Sequence, residues 1–157
     1  MIKRDALRFF PLFLLLLVGC GGGESKFGEA TIILGREIGK KSGQSVVADT
    51  TSRFHINDIF NIEVIEPKGF RSSELFLKIY RVEDEKGRQL GTEFLSRSQT
   101  FKGIDPKGTQ LVINNSAKQR TVARFIGPHF GLYRLEIHTD QYKIAEKTFG
   151  VYPKSVE

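Results

Sequence analysis

One cysteine, no tryptophan, one methionine and three histidines in 157 residues put several kinds of protein out of reach. A lone cysteine forms no disulfide within the chain, so the fold rests on its apolar core. Nor does it supply the cysteine pairs of a structural zinc site. His55, His129 and His138 stand far apart, at no metal-ligand spacing such as His-x-His or His-Glu-x-x-His. No Gly-x-Ser-x-Gly elbow presents a nucleophile, and no glycine-rich turn between strand and helix is there to cradle a phosphate. The formal charge is +6, but the basic residues are interspersed with acids, as in Glu83-Asp84-Glu85-Lys86. Without a polybasic run, no nucleic-acid partner is expected. No cofactor or metal is expected either, and the chain reads as a non-enzyme.

Long apolar runs are scarce, with one exception. Phe9–Val18 is ten residues without a charge, preceded by Lys3, Arg4 and Arg8 against Asp5. A spanning helix needs ~20 apolar residues, so this run is too short to cross a membrane permanently. It suits the apolar core of an export signal, about 7–15 residues behind a positive start. The run ends in Leu17-Val18-Gly19-Cys20: an aliphatic residue, a β-branched one, a small one and the only cysteine.

That stretch resembles the lipobox of a bacterial lipoprotein precursor. The resemblance implies that a diacylglycerol is attached to the Cys20 thiol and that signal peptidase II cuts between Gly19 and Cys20. Cys20 then becomes the acylated N-terminus. Two or more acyl chains on one residue anchor stably, at about 0.8 kcal/mol per buried CH₂, where a single chain binds reversibly. Gly21-Gly22-Gly23-Glu24-Ser25-Lys26 comes next as a flexible tether with a mean reach of ~15–20 Å, which holds the remainder of the chain close to the membrane. Gly21, standing where an aspartate would favour inner-membrane retention, implies the outer membrane in a cell that has one. Cleavage removes Lys3, Arg4, Arg8 and Asp5, three positive charges against one negative, so +6 falls to +4.

After Cys20 the pattern has period two, and no stretch sustains a helical period. Strands are expected at Ala30–Leu34, at Val46–Ala48 as a short edge, and over one run carrying Phe54, Ile56, Phe60, Ile62 and Val64. Further strands are expected at Leu75–Val82, Gln89–Phe94, Leu111–Ile113, Val122–Ile126, Leu132–His138 and Ala145–Val151. Gly35–Ser45 reads as a loop, Glu83–Gly87 as a charged hairpin tip, Phe101–Gly108 as a turn-rich connection, and Asn114-Asn115-Ser116 and Thr139-Asp140-Gln141 as turns. In Leu132–His138, Tyr133, Leu135 and Ile137 share the inward face, with Arg134, Glu136 and His138 opposite. Lys147 is in phase with inward Ala145, Phe149 and Val151 and belongs toward an edge.

About 7–9 short antiparallel strands argue an all-β protein, a β-sandwich. Gly131-Leu132-Tyr133-Arg134-Leu135 also resembles the tyrosine corner of immunoglobulin-like and fibronectin-type domains. That likeness implies a Tyr133 hydroxyl bonded to backbone a few residues upstream. It places Leu135 where antibody domains carry their second cysteine, and no core tryptophan accompanies it. The expected organisation is a cleaved signal helix at 1–19, lipidated cysteine and tether at 20–28, an immunoglobulin-like antiparallel β-sandwich at 29–153 and a tail at 154–157.

Function is less legible. Phe94, Phe101, Phe125, Phe130 and Tyr142 are candidates for a ligand groove or for core. Basic residues in Arg36–Lys41, Arg53, Lys68–Arg71 and Arg97–Lys102 face anionic envelope polymers or lipid head groups, or simply solubilise. Glu83, Asp84 and Glu85 form a carboxylate cluster or a solvated tip. The expected role is a lipid-anchored, non-catalytic module of the cell envelope, bound to the membrane through its acyl chains and taking a protein or glycan partner. Its rivals are an accessory subunit of an envelope complex and a small envelope hydrolase.

Overall fold

A computed structural model describes residues 30–113, 120–140 and 142–154. Gly19, Cys20 and the whole leader and tether lie outside the described residues, as does the Asn114-Asn115-Ser116 turn. Among the described residues are nine strands and one helix. In chain order they are β1 (Thr31–Lys41), β2 (Gln44–Thr50), β3 (Arg53–His55), β4 (Asn61–Ile65), β5 (Glu74–Glu83), β6 (Gln89–Lys102), β7 (Gln110–Ile113), α1 (Val122–Ile126), β8 (Gly131–His138) and β9 (Lys143–Tyr152). They form a four-stranded sheet, β2-β1-β4-β7, and a five-stranded sheet, β3-β9-β8-β5-β6. All neighbours run antiparallel except β3 and β9, which are parallel.

Period two decides which side chains go inside. Leu75, Leu77 and Ile79 of β5 and Tyr133, Leu135 and Ile137 of β8 are almost completely buried. They share one core with Ile32 and Leu34 of β1 and Ile62 and Val64 of β4 from the other sheet. Each fully buried aliphatic side chain contributes about 1.5–3 kcal/mol. Aromatic rings fill the centre. Phe54 and Phe60 meet edge to face at 5.0 Å, Phe60 packs on Phe149 at 5.0 Å, and Tyr133 stacks on Phe149 at 5.5 Å. Each such pair adds about 0.5–1.5 kcal/mol beyond its burial.

Four sequence expectations give way, the first being a wholly antiparallel sandwich, since β3 is too short to turn back on a neighbour and lies parallel to the end of β9. Val122–Ile126 is a helix, not a strand. Thr121 caps it by accepting from Arg124 N, and the free N–H groups of Val122 and Ala123 find the carbonyls of Asp58 and Ile56. Its buried residues Val122, Phe125 and Ile126 follow helical spacing, but over a single turn too short to tell from a strand. Phe54 to Val64 is two strands, not one. β3 joins the five-stranded sheet and β4 the other, so Phe54 and Phe60 enter the same core from opposite layers. The stretch from Gly35 is not a loop, since β1 runs on to Lys41 and turns at Ser42 (φ 52°) and Gly43 (φ 81°). Two consecutive positive φ values suit a two-residue hairpin turn. The hairpin is polar because most of it faces solvent.

Candidate functional site

Glycine begins β8 for a steric reason. Gly131 has φ 131°, and a Cβ there would lie 2.1 Å from the Glu83 carbonyl oxygen. Arg81 reinforces the same approach by donating from Nε and Nη2 to the Phe130 carbonyl, at 3.0 and 2.6 Å. Two residues on, the fully buried Tyr133 donates its hydroxyl to the His129 carbonyl at 2.8 Å, four residues upstream. Burial pushes the Tyr133 hydroxyl pKa up, against the smaller opposing effect of Arg81. Leu135 is completely buried beside it.

The outer face of β8 is not the solvated surface its alternation suggests. Glu136 is only 7% exposed. Its Oε1 accepts from Arg134 Nε at 2.9 Å and its Oε2 meets His138 Nε2 at 2.8 Å. Glu146 stands directly opposite on β9, a like-charge pairing that opposes the sheet. Lys143 bridges the two carboxylates, lying 3.8 Å from Glu136 and bonded to Glu146. Burial works to raise the Glu136 pKa, but the bonds from His138 and Arg134 and the charges of Lys143 and Arg134 outweigh it and hold it below the usual range. The Thr139 hydroxyl, the nearest in sequence, is engaged with the Tyr142 backbone.

On the other sheet, a second carboxylate is buried under the β1–β2 hairpin. Glu63 is 3% exposed; it accepts Val47 N–H at 2.8 Å and the Gln110 amide, which also donates to the Ser45 carbonyl. A groove of about 490 Å³ runs beside it, with Ile33, Val46 and Ile65 among its walls.

The remaining sequence candidates do not converge. Phe125 is buried, and Phe101 and Phe130 pack against the core. Phe94 and Leu95 on β6 are 64% and 47% exposed, and Tyr142 is 46% exposed. Phe94 pairs with Arg81, which pairs with Tyr133 across the sheet, whereas Tyr142 sits in the turn beyond His138. The exposed aromatics are therefore at opposite ends of the sheet and form no single groove. In the Glu83–Gly87 tip, Asp84 is buried and organises the turn. Its carboxylate accepts Lys86 N, Arg88 N and Arg88 Nε at 2.9, 2.9 and 2.7 Å. The Arg88 backbone bond is the largest cause of its lowered pKa. Among the described residues, no three His, Cys, Asp or Glu side chains are placed to hold a metal ion.

The basic stretches are partly spoken for. Arg36 pairs with Asp49, Arg53 lies over the Tyr152 ring at 4.3 Å, and Arg97 lies over Phe125 at 4.9 Å. Sequence reasoning missed the buried Glu63 and Glu136. Their one signal was an acid in mid-strand flanked by apolar or basic neighbours, which period two assigns to solvent.

No family model matches the sequence, and no curated protein matches it. Among solved structures the chain is similar to the PmoD soluble domain from Methylocystis sp. ATCC 49242 (Rockwell), at 12% identity and a TM-score of 0.40, over 78% of this chain and 90% of that one. It is also similar to the β-D-glucoside glucohydrolase from Trichoderma reesei, at 9% identity and a TM-score of 0.35, over 80% of this chain but only 18% of the enzyme. At such TM-scores neither likeness carries an argument about topology or function.

Proposed function

We propose that this protein is a lipid-anchored, non-catalytic lipoprotein of the bacterial envelope whose immunoglobulin-like sandwich serves as an accessory subunit, docking a protein partner along β6. The observation that carries the docking role is β6 itself. It is a fourteen-residue edge strand with no neighbour beyond it among the described residues, and Phe94 and Leu95 stand out in solvent on it. The ladder to β5 is irregular beside these residues, and an edge with exposed apolar side chains is one that a partner strand can complete. The anchor is supported by Leu17-Val18-Gly19-Cys20 and the charged, apolar leader before it. The immunoglobulin-like reading is supported by the Tyr133 hydroxyl bond to His129 at the start of β8.

Two experiments test the proposal. Cells fed an alkyne fatty acid should label the wild-type protein and not Cys20→Ser; an unlabelled wild type overturns the anchor. A photo-crosslinking amino acid at Phe94 should give a discrete adduct in envelope membranes, and the same group at Tyr142 should not. Equal adducts at both positions would sink the β6 reading.

A further inference from the structure

The opposite side of the sandwich carries a second opening. β1 belongs to two ladders in succession: Thr31–Gly35 pairs with β4, and Gly35–Lys41 pairs with β2. The half from Thr31 to Leu34 is therefore paired on one side only. The Leu34 carbonyl accepts Thr51 N–H at 2.9 Å, which shows which way the backbone points. Backbone groups alternate along a strand, so those of Leu34 and Ile32 face away from β4. Thr51 fills the first rung, and among the described residues no strand pairs with β1 at Ile32 on that side.

A cavity of about 370 Å³ runs along this edge, walled by Thr31–Leu34, the Thr50-Thr51-Ser52 link and Lys147. Lys147 comes from β9 in the other sheet. It pairs with fully buried Leu135 and so has inward phase, yet it is exposed. Among the described residues it has no ion-pair partner and no acid lines the cavity. An inward-phase lysine at an edge deters indiscriminate strand pairing. The same lysine favours the one strand that brings a carboxylate to it.

We infer that this slot takes an extended acidic peptide segment as an added strand on β1. The backbone of Ile32 would supply the ladder, Lys147 would meet the incoming carboxylate, and the hydroxyls of Thr50 and Ser52 would line the rim. Thr51 is not counted, because its hydroxyl is already engaged with Arg53. Four residues of β1 at about 3.3–3.4 Å each give the segment its length, roughly four residues. Neither the lipid anchor nor β6 enters into this assignment.

The test uses the full chain in detergent micelles and a fluorescent seven-residue probe of alternating threonine and valine with one central aspartate. Binding is read by anisotropy, and the Ile32 amide by hydrogen exchange. The aspartate probe should bind about tenfold more tightly than its lysine counterpart, and Lys147→Glu should reverse that order. Exchange at Ile32 should slow about tenfold on saturation. An aspartate probe with N-methylated backbone should not bind. If the N-methylated probe binds as well, or Ile32 exchange is unchanged, no strand is added and the inference fails. Displacement by phosphatidylglycerol vesicles or by inorganic phosphate at comparable charge would equally overturn it, since the slot would then read charge alone.

Discussion

Tyr133, Leu135 and Ile137 on one side of β8, and Arg134, Glu136 and His138 on the other, are held by different physics although they alternate along a single strand. The inner three are buried among apolar neighbours and need only shape and one hydroxyl bond. Outside, a single carboxylate is almost as buried, and it stays charged because Arg134, His138 and Lys143 surround it. Burial does not by itself identify the core side of a sheet. A face can be closed by its own ion pairs, and the two kinds of closure should fail differently.

Truncation inside should do the most damage. Leu135→Ala leaves a cavity at a completely buried site and should cost about 2–5 kcal/mol in denaturant melts. Glu136→Ala should come next, at about 1.5–3 kcal/mol, because charge-assisted bonds from Arg134 and His138 go together. Its signature is acid dependence. The Glu136 pKa is depressed in the folded state, so its stabilisation is complete above the ordinary value of 4.5 and is lost as pH falls below it. Melts of wild type and Glu136→Gln should therefore differ at pH 7 and draw together in acid. A gap that widens in acid would mean the outer face is not closed by ion pairs.

Tyr133→Phe should come third. It keeps the stacking on Phe149 and loses the bond to His129, whose residue is exposed, so water can replace the donor. About 0.5–1.5 kcal/mol is expected, the net value of one hydrogen bond. Arg134→Ala should be the smallest, below about 1 kcal/mol, since its guanidinium is itself partly exposed and His138 and Lys143 stay beside Glu136. If Arg134→Ala proved worse than Leu135→Ala, the two faces would be inverted and the contrast between them would collapse.

Period two was enough to read the inner faces of β5 and β8, because each alternates over at least seven residues, and most of β9, where Lys147 breaks the phase. It was not enough where the chain changes layer. Phe54 and Phe60 alternate in phase with Ile62 only because both sheets face one core, and the one local mark of the crossing is Asn57-Asp58, where Asp58 accepts His55 N–H and closes the turn. α1 was illegible for a related reason, since one helical turn and three strand residues bury the same side chains. Glu136 was legible as a position but not in its state, because its burial depends on Lys143 across a turn. The β6 edge and the slot at Lys147 depend on strand order, which no local pattern carries.

Gly35 has a consequence in time as well as in space. A Cβ there would lie 2.4 Å from the Ala48 carbonyl oxygen, so it marks the point where β1 passes from one ladder to the other. Upstream, Ile32 and Leu34 are locked into the core; downstream, Glu37 to Lys41 contribute nothing to it. The hairpin beyond Gly35 is fastened to the rest of the protein by Val47 N–H on Glu63, by Gln110 on Ser45 and by Arg36 beside Asp58. It should open on its own, at a fraction of the free energy of global unfolding, and its amides should exchange well before those of β5 and β8. A protease cutting at Ser42-Gly43 would therefore time the release of one hairpin from Glu63, and the sandwich beneath would still be folded when it did.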